Sequence, residues 1–218
     1  MACVCDDISG IIFRSFIPLY LKGDFYLNFV FDVGNVLVDY KPLVYLKALF
    51  SDDSLAEKMY DTIFKSREWL LMDQGRLSHP EAIDIFKARE PDFHSEIQYT
   101  MQNVNSMFTP ISDTIKMLPT IKESGHGLYY LSNIHKEIRD FLIAEHKYFS
   151  LFDGGVFSCD IMATKPSPEI YRYIIEKYSL IPGDCLFFDD MEENVKAAEK
   201  EGIKSVLFTT AECVAGYL

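Results

Sequence analysis

The sequence predicts an α/β fold, in which a doubly wound parallel sheet carries an inserted helical segment. Short apolar runs alternate with amphipathic stretches of about ten to twelve residues, which is the pattern of repeated βαβ units. The runs end at polar residues, as buried parallel strands do. Residues 41–107 break this alternation and carry helical patterns without a convincing strand. These observations separate a sheet-containing core from a helical insert.

The elements of the core follow in chain order. Five apolar runs predict strands: Leu27–Phe31, Gly127–Leu131, Gly155–Phe157, Cys185–Phe188 and Ser205–Phe208. Four amphipathic stretches predict the helices that cover both faces of the sheet: Ser112–Glu123, Lys136–Glu145, Pro168–Tyr178 and Glu192–Glu201. The last helix is expected to stop before Gly202, because glycine commonly follows a helix end.

The insert shows three helical patterns, at Pro42–Phe50, Leu55–Ser66 and Pro80–Lys87. Ser78 precedes the third pattern and is predicted to cap it, with Pro80 in the first turn. The predicted organisation is therefore a core domain of residues 25–40 and 108–218, a helical cap domain of residues 41–107, and an N-terminal extension of residues 1–24 to which we assign no function.

Composition excludes several classes of protein. The 218 residues include 21 Lys plus Arg and 33 Asp plus Glu, giving a formal net charge of −12. Because no basic patch offsets this charge, we expect neither a nucleic-acid nor an anionic-membrane partner. Ile11–Leu21 is apolar, but acidic residues precede it and it is too short to span a bilayer. Five scattered cysteines indicate reduced thiols, so we expect a cytoplasmic protein. We also expect it to be a monomer or a weak homodimer.

Polar side chains that could take part in catalysis or metal binding follow the predicted strands. Ligands of open α/β sheets bind at the carboxyl ends of the strands. Each residue has an ordinary explanation as a cap, turn or surface residue, but their repeated placement after strands favours a common site. The residues, in chain order, are Asp32, Ser132, Asn133, Lys165, Asp189 and Asp190.

The charges of this cluster predict a divalent cation. Two carboxylates about 4 Å apart repel by about 4 kcal/mol at an effective dielectric constant of about 20. A phosphate group placed beside them would add further repulsion, which Mg²⁺ with its oxygen ligands would relieve. Lys165 and Ser132 would contact phosphate oxygens, and one aspartate would remain free to attack phosphorus as a nucleophile.

The motifs that carry these residues resemble those of the haloacid dehalogenase (HAD) superfamily, most of whose members are phosphatases. Four segments match in order: Phe29–Val36 (FVFDVGNV), Leu131–Asn133 (LSN), Lys165 with Pro166, and Phe187–Ala198 (FFDDMEENVKAA). The likeness covers about residues 28–210. The insert resembles the helical cap of the branch that contains glucose-1-phosphate phosphatases and epoxide-hydrolase N-terminal domains. The resemblance implies a Rossmann-like core.

The resemblance also implies a role for each matching residue. Asp32 would be the nucleophile and a Mg²⁺ ligand, and Gly34 would contribute its backbone carbonyl to the metal. Ser132, Asn133 and Asn35 would contact the phosphoryl group, and Lys165 would orient it. Asp190 would bind Mg²⁺ with support from Asp189, while Asn194 stands where many members have a second acidic residue.

One position departs from the family pattern. Typical HAD phosphatases carry an aspartate two residues after the nucleophile, as the acid for the leaving group and the base for water, and this chain has Gly34 there. Losing such a group costs about 10²–10⁴-fold in rate. Three explanations stay open: Asp39 or a cap side chain substitutes, the leaving group needs no proton, or the protein is a poor enzyme.

The cap is expected to set substrate specificity. Trp69, Asp73, Arg76 and Lys41 are the candidates that would face the cleft, with Trp69 able to stack on a sugar ring and Arg76 able to pair with a second anionic group. The predicted function is therefore a Mg²⁺-dependent phosphatase of a small phosphorylated metabolite, with a sugar phosphate favoured.

Three other functions are alternatives to this prediction. A catalytically impaired HAD-like binding or regulatory protein is one alternative, with Gly34 as the lesion. A dehalogenase-type hydrolase is another, against which the paired acids Asp189 and Asp190 count. A receiver domain also uses an acidic pair, a hydroxyl and a lysine, but its length does not accommodate the insert.

Overall fold

A computed structural model describes residues 26–218. The expectation for residues 1–24, including Cys3 and Cys5, lies outside the described residues. The sheet has five parallel strands in the order β3-β2-β1-β4-β5. Their bounds are β1 Asn28–Phe31, β2 Gly127–Ser132, β3 Gly154–Phe157, β4 Cys185–Asp189 and β5 Lys204–Leu207. The predicted α/β class with a parallel sheet is confirmed, and no strand end differs from its predicted end by more than one residue.

Strand β1 lies in the centre of the sheet and is buried along its whole length. Its neighbours are β2, through Asn28 opposite Gly127, and β4, through Asn28 opposite Cys185. Because side chains alternate along a strand, Phe29 and Phe31 belong to one buried cluster and Val30 to the other. The carboxyl ends of β1, β2 and β4 therefore meet at one edge.

The segment between β1 and β2 is helical, as predicted. Its helices are α1 Pro42–Leu49, α2 Asp53–Met59, α3 Arg67–Asp73, α4 His79–Arg89 and α5 His94–Asn103. The predicted helix Leu55–Ser66 is α2 followed by a single π-helical turn, Tyr60–Phe64. Helices α3 and α5 had not been predicted. Ser78 caps α4 as expected, and its hydroxyl and the Glu81 carboxylate form a capping box.

The core helices pack on the two faces of the sheet. They are α6 Ser112–Ile115, α7 Leu118–Glu123, α8 Lys136–Glu145, α9 Ser158–Ile161, α10 Pro168–Tyr178, α11 Glu192–Lys200 and α12 Glu212–Ala215. The single helix predicted over Ser112–Glu123 is two helices. Pro119 explains the interruption, because its ring would clash with the carbonyl of Ile115 in a continuous helix.

The cap and the core are in tight contact around Gly75. This residue has φ +65°, and a Cβ atom there would lie 2.2 Å from the carbonyl oxygen of Cys159. Next to it, the Ser158 hydroxyl donates to the carbonyl of Asp73 at 2.5 Å and accepts from the backbone N–H of Ile134 at 2.9 Å. The division into two domains stays a prediction, because helices of both segments share one buried cluster.

No helix within residues 26–218 combines the length and the apolar character that crossing a bilayer demands.

Candidate active site

A cleft of about 160 Å³ lies at the carboxyl edge of the sheet. It opens where β1, β2 and β4 end, and the cap covers it from the opposite side. Core residues in its wall include Asp32, Gly34, Asn35, Ser132, Asn133, Lys165, Asp190 and Asn194, and cap residues include Trp69 and Asp73. The polar residues that were predicted to cluster are thus brought together, except that Asp189 lies behind the wall.

Lys165 lies between two carboxylates and is itself buried. Its Nζ is 2.8 Å from Asp32 Oδ1 and 2.7 Å from Asp189 Oδ2. Burial by itself would lower the pKa of Lys165, but the charges of Asp32 and Asp189 outweigh burial and raise that pKa. Lys165 is therefore a fixed cation that holds the Asp32 carboxylate in one orientation.

Asp189 is a supporting residue, because both of its oxygens are occupied by hydrogen bonds. Oδ1 accepts from the backbone N–H of Met191 at 2.8 Å and from Asn194 Nδ2 at 2.9 Å. Oδ2 accepts from Lys165, and Asn194 Nδ2 also lies 3.1 Å from it. Completely buried carboxylates persist in proteins when they are paired in this way.

Asp190 points into the cleft and is held by Asn35. The Asn35 amide donates to Asp190 Oδ2 at 2.9 Å, while its oxygen accepts from the backbone N–H of Tyr40 at 2.9 Å. Asn35 has φ +53°, a left-handed conformation that non-glycine residues adopt mainly at turns and functional sites. These contacts make Asn35 a residue that positions Asp190, whereas its direct contact with phosphate stays a prediction.

Asn133 links two loops of the site. Its amide donates to the carbonyl of Lys165 at 2.8 Å, and its oxygen accepts from the backbone N–H of Lys165 at 2.8 Å. This reciprocal pair fixes the backbone from which the Lys165 side chain extends. The Ser132 hydroxyl lines the cleft and has no hydrogen-bond partner among residues 26–218, so it is free to donate to a ligand oxygen.

The residues present fit a divalent cation. Oxygens of Asp32, Asp189 and Asp190 lie within 4.8 Å of one another, and Lys165 neutralises only one of the three charges. Burial raises the pKa of Asp32 to about 7 despite the opposing effect of Lys165, and the Asp189 and Asp190 charges raise it further. Burial likewise raises the pKa of Asp190. A dication would relieve this excess negative charge, and hard oxygen ligands suit Mg²⁺.

Gly34 lines the cleft beside Asp32, and its position has room for a side chain. A Cβ atom there would lie 3.6 Å from Tyr40 Cβ, an ordinary van der Waals separation, and Gly34 is not among the residues with positive φ. The backbone therefore does not require glycine at this position. What Gly34 removes is the carboxyl group that typical HAD phosphatases carry there.

Asp39 and a cap side chain were the possible replacements for this carboxyl, and the structure places Asp39 and the cap residue Asp73 differently. Asp39 is outside the wall of the cleft and forms an ion pair with Lys41 at 2.5 Å. Asp73, from the end of α3, is in the wall and lies 3.4 Å from Nδ1 of the buried His135. Burial raises the pKa of Asp73, and the His135 hydrogen bond opposes that rise. Asp73 is thus the cap carboxyl in the wall of the cleft that Asp32 also lines.

The other cap candidates also differ in whether they line the cleft. Trp69 is buried and lines the cleft, where its ring meets His135 edge-on at 4.9 Å between centroids. Arg76 is exposed and outside the wall. Lys41 is also exposed and outside it, but lines a second pocket that shares Asn35 and Asp190 with the cleft.

The apolar part of the wall, which includes Tyr40, Phe108 and Ile138, was not among the residues predicted from the sequence. Tyr40 and Phe108 stack with 5.7 Å between ring centroids. They flank the insert on its two sides, so a search for aromatic residues at the boundaries of residues 41–107 would have found them.

The chain is similar in sequence to several known proteins. The family model described as haloacid dehalogenase-like hydrolase matches residues 26–202. A sesquiterpene phosphatase of Aspergillus oryzae is 26% identical over 180 residues, covering 83% of this chain and 88% of the relative. A D-ribitol-5-phosphate phosphatase of Bacteroides thetaiotaomicron is 25% identical over 195 residues, covering 82% and 89%.

Among solved structures, the magnesium complex of a HAD family enzyme from Bacteroides thetaiotaomicron superposes with a TM-score of 0.69 at 21% identity. The superposition covers 84% of this chain and 93% of that enzyme.

Proposed function

The chain belongs to the haloacid dehalogenase-like hydrolases, and from this membership we propose that it is a Mg²⁺-dependent phosphatase that works through an aspartyl-phosphate on Asp32. The observation that carries the proposal is the cluster of Asp32, Asp189 and Asp190, whose oxygens lie within 4.8 Å of one another and of which Lys165 pairs with Asp32 and Asp189. Its relatives include proteins named as phosphatases of phosphorylated small molecules.

Asp32, the backbone carbonyl of Gly34 and Asp190 would hold Mg²⁺, which supplies positive charge to the phosphate oxygens. In the first step an Asp32 oxygen forms a bond to phosphorus as the bond from phosphorus to the leaving oxygen breaks. Lys165 orients Asp32, and the Ser132 hydroxyl donates to a phosphoryl oxygen. In the second step water attacks phosphorus, the bond to Asp32 breaks, and phosphate leaves.

Both steps require a proton carrier, which we assign to Asp73. The leaving oxygen gains a proton in the first step, and the attacking water loses one in the second. Asp73 is the cap carboxyl in the wall of the cleft. Asp39, the other candidate, is outside the cleft and already paired with Lys41. This assignment favours an active enzyme over an impaired binding protein.

The substrate is proposed to be a small phosphorylated metabolite. A sugar phosphate is the first candidate, with Trp69 as the stacking surface. The apolar wall of Tyr40, Phe108 and Ile138 favours a second candidate, a phosphate ester whose remaining part is apolar, such as an isoprenoid monophosphate. The absence of a basic patch on the chain and its scattered cysteines support a cytoplasmic enzyme that acts alone or as a weak homodimer.

The proposal is tested by measuring phosphate release with Mg²⁺. The substrates are p-nitrophenyl phosphate, a panel of sugar phosphates that includes D-ribitol 5-phosphate, and farnesyl phosphate. We expect Asp32→Asn to lower kcat at least about a thousandfold while the fold is kept, because Lys165 retains its pair with Asp189. Beryllofluoride should raise the Tm of the wild type and leave that of Asp32→Asn unchanged.

Activity that survives in Asp32→Asn would refute the covalent mechanism. Chloride release from a 2-haloacid, without phosphate release from any ester, would instead support the dehalogenase alternative.

A further inference from the structure

A second group of potential metal ligands lies between the cap and the core, apart from the aspartate cluster. It consists of His79 at the start of α4, His135 directly before α8, and Glu137 in the first turn of α8. One ligand atom from each of the three lies within 4.8 Å of the others. Two imidazoles and a carboxylate form a donor set that zinc binds in proteins.

Two nitrogens in this group have no hydrogen-bond partner. His79 Nδ1 and His135 Nε2 are both buried, and no described residue donates to them or accepts from them. The His135 side chain is 1% exposed, so solvent does not satisfy it either. An unsatisfied buried polar atom is costly and calls for an explanation, for which a bound ion is one candidate.

The surroundings of His135 prepare its Nε2 for a metal. The Nδ1 atom lies 3.4 Å from Asp73 Oδ1, so an Nδ1–H would donate to this carboxylate and leave Nε2 with a lone pair for the metal. A carboxylate behind a ligating histidine is the usual supporting contact of zinc sites.

The local charges also accept a cation. Helix N-termini carry partial positive charge, which by itself would disfavour a metal. Here acidic residues occupy the first turn of both helices, Glu81 in α4 and Glu137 in α8. Among residues 26–218, no lysine or arginine forms an ion pair with Glu137, so its charge remains available.

We propose that His79, His135 and Glu137 form a zinc site that ties the cap to the core beside the cleft. Zinc bonds of about 2.0–2.2 Å place tetrahedral ligand atoms about 3.3–3.5 Å apart. Side-chain rotations that move the ligand atoms by about 1 Å would therefore bring them from their present positions to this spacing. Water would fill the fourth position. The cation joins residue 79 of the cap to residues 135 and 137 of the core, and therefore stabilises the contact between them.

The test measures zinc binding by competition with a chromophoric chelator, in millimolar Mg²⁺ so that the aspartate cluster is loaded. We compare the wild type with His79→Gln, Glu137→Gln and the control His94→Gln. His94 is an exposed cap histidine whose ring nitrogen already contacts the carbonyl of Lys87. Each ligand variant should weaken binding at this site by at least about tenfold, and His94→Gln should bind as the wild type does.

Two further readouts separate this site from other zinc-binding groups. Cobalt should give the intense visible absorption of four-coordinate Co²⁺ in the wild type and in His94→Gln, and lose it in His79→Gln. Zinc at about 100 times its Kd should raise the wild-type Tm by about 5–10 °C, and the ligand variants much less.

Equal zinc affinity in the wild type, His79→Gln and Glu137→Gln would overturn the proposal and assign the metal to other groups, such as Cys3 and Cys5. Wild-type protein that binds no zinc would overturn it as well. Circular dichroism in chelator verifies that each variant is folded. Glu137→Gln decides the question if His79→Gln does not fold.

Discussion

At the scale of single residues, the source of the catalytic proton is the property of this site that is most open to experiment. Asp73 lines the cleft, whereas Asp39 pairs with Lys41 outside it. We expect Asp73→Asn to slow hydrolysis of alkyl phosphates by about 10²–10⁴-fold. With p-nitrophenyl phosphate the loss in kcat/KM should be small, because p-nitrophenolate leaves without a proton. The measurement is kcat/KM over a series of leaving groups, because kcat/KM reports the first step, whereas the later attack of water is common to all substrates.

Asp39→Asn is the matched control and should leave the whole series unchanged. Adding Gly34→Asp to Asp73→Asn should restore part of the alkyl phosphatase activity, because the position next to Tyr40 has room for a side chain. A uniform loss in kcat/KM across all leaving groups in Asp73→Asn would contradict the assignment and indicate a structural role through His135.

Sequence reasoning could bring Asp32, Ser132, Lys165 and Asp190 together because each follows a strand, and parallel strands end at one edge. It could not predict the pairing of Asp73 with His135 or of Asn35 with Asp190. These hydrogen bonds join residues 62 and 155 positions apart, and no local pattern encodes which distant side chains meet.

At the scale of elements, the tight contact between the turn after α3 and the start of α9 predicts a stability difference between two glycines. Gly75 and Gly125 both have positive φ, +65° and +81°, but only Gly75 faces an obstacle, the Cys159 carbonyl. Gly125→Ala should cost about 1–2 kcal/mol through backbone strain alone. Gly75→Ala should cost at least about 3 kcal/mol, since the cap and core must also separate.

Urea unfolding of the two variants checks this difference, with Gly183→Ala as a reference. Gly183 has open space around its Cβ position and is not among the glycines with positive φ. Equal destabilisation by Gly75→Ala and Gly125→Ala would show that the cap moves away from Cys159 at little cost.

The helices show why some elements could be predicted and others not. Helices α8 and α10 have the predicted bounds, because their apolar residues recur with clear helical periodicity. Helix α5 begins without a side-chain cap. Pro91, in the 3-10 turn before it, indicated only a loop at this point of the sequence. Pro119 lies within the predicted helix Ser112–Glu123. Because proline disrupts a helix interior, it indicates the break between α6 and α7 that the structure has.

At the scale of the whole molecule, the excess of carboxylates around the cleft predicts dependence on a divalent cation. Chelation with EDTA should abolish turnover, and Mg²⁺ should restore it. Asp190→Asn should raise the Mg²⁺ concentration for half-maximal activity by at least about tenfold, because Asp190 is the carboxylate of the cluster that faces the cleft beside Asp32.

Asp184→Asn provides the control, since Asp184 is exposed and precedes β4 at the opposite end of that strand from Asp190. Its Mg²⁺ titration should match that of the wild type. Full activity of the wild type in excess EDTA would contradict metal dependence.

The parallel sheet and its helical insert were predictable from the alternation of apolar runs and amphipathic stretches. The strand order was not predictable, because apolar residues such as Val30 of β1 and Phe187 of β4 do not indicate which strand their own strand pairs with. The shared core was not predictable either. Phe86 and Ile97 of the cap and Phe31 of β1 belong to one buried cluster, although the sequence pattern suggested two separate units.

The central position of β1 has a consequence for synthesis on the ribosome. Residue 28 is made before both of its partners in the sheet, residues 127 and 185. At about 5–20 residues per second, β1 waits roughly 5–20 s for β2 and roughly 8–30 s for β4 to be made. Until β2 is made, the apolar stretch that leads into Asp32 has no strand to pair with, so early collapse with the cap helices would shield it from aggregation.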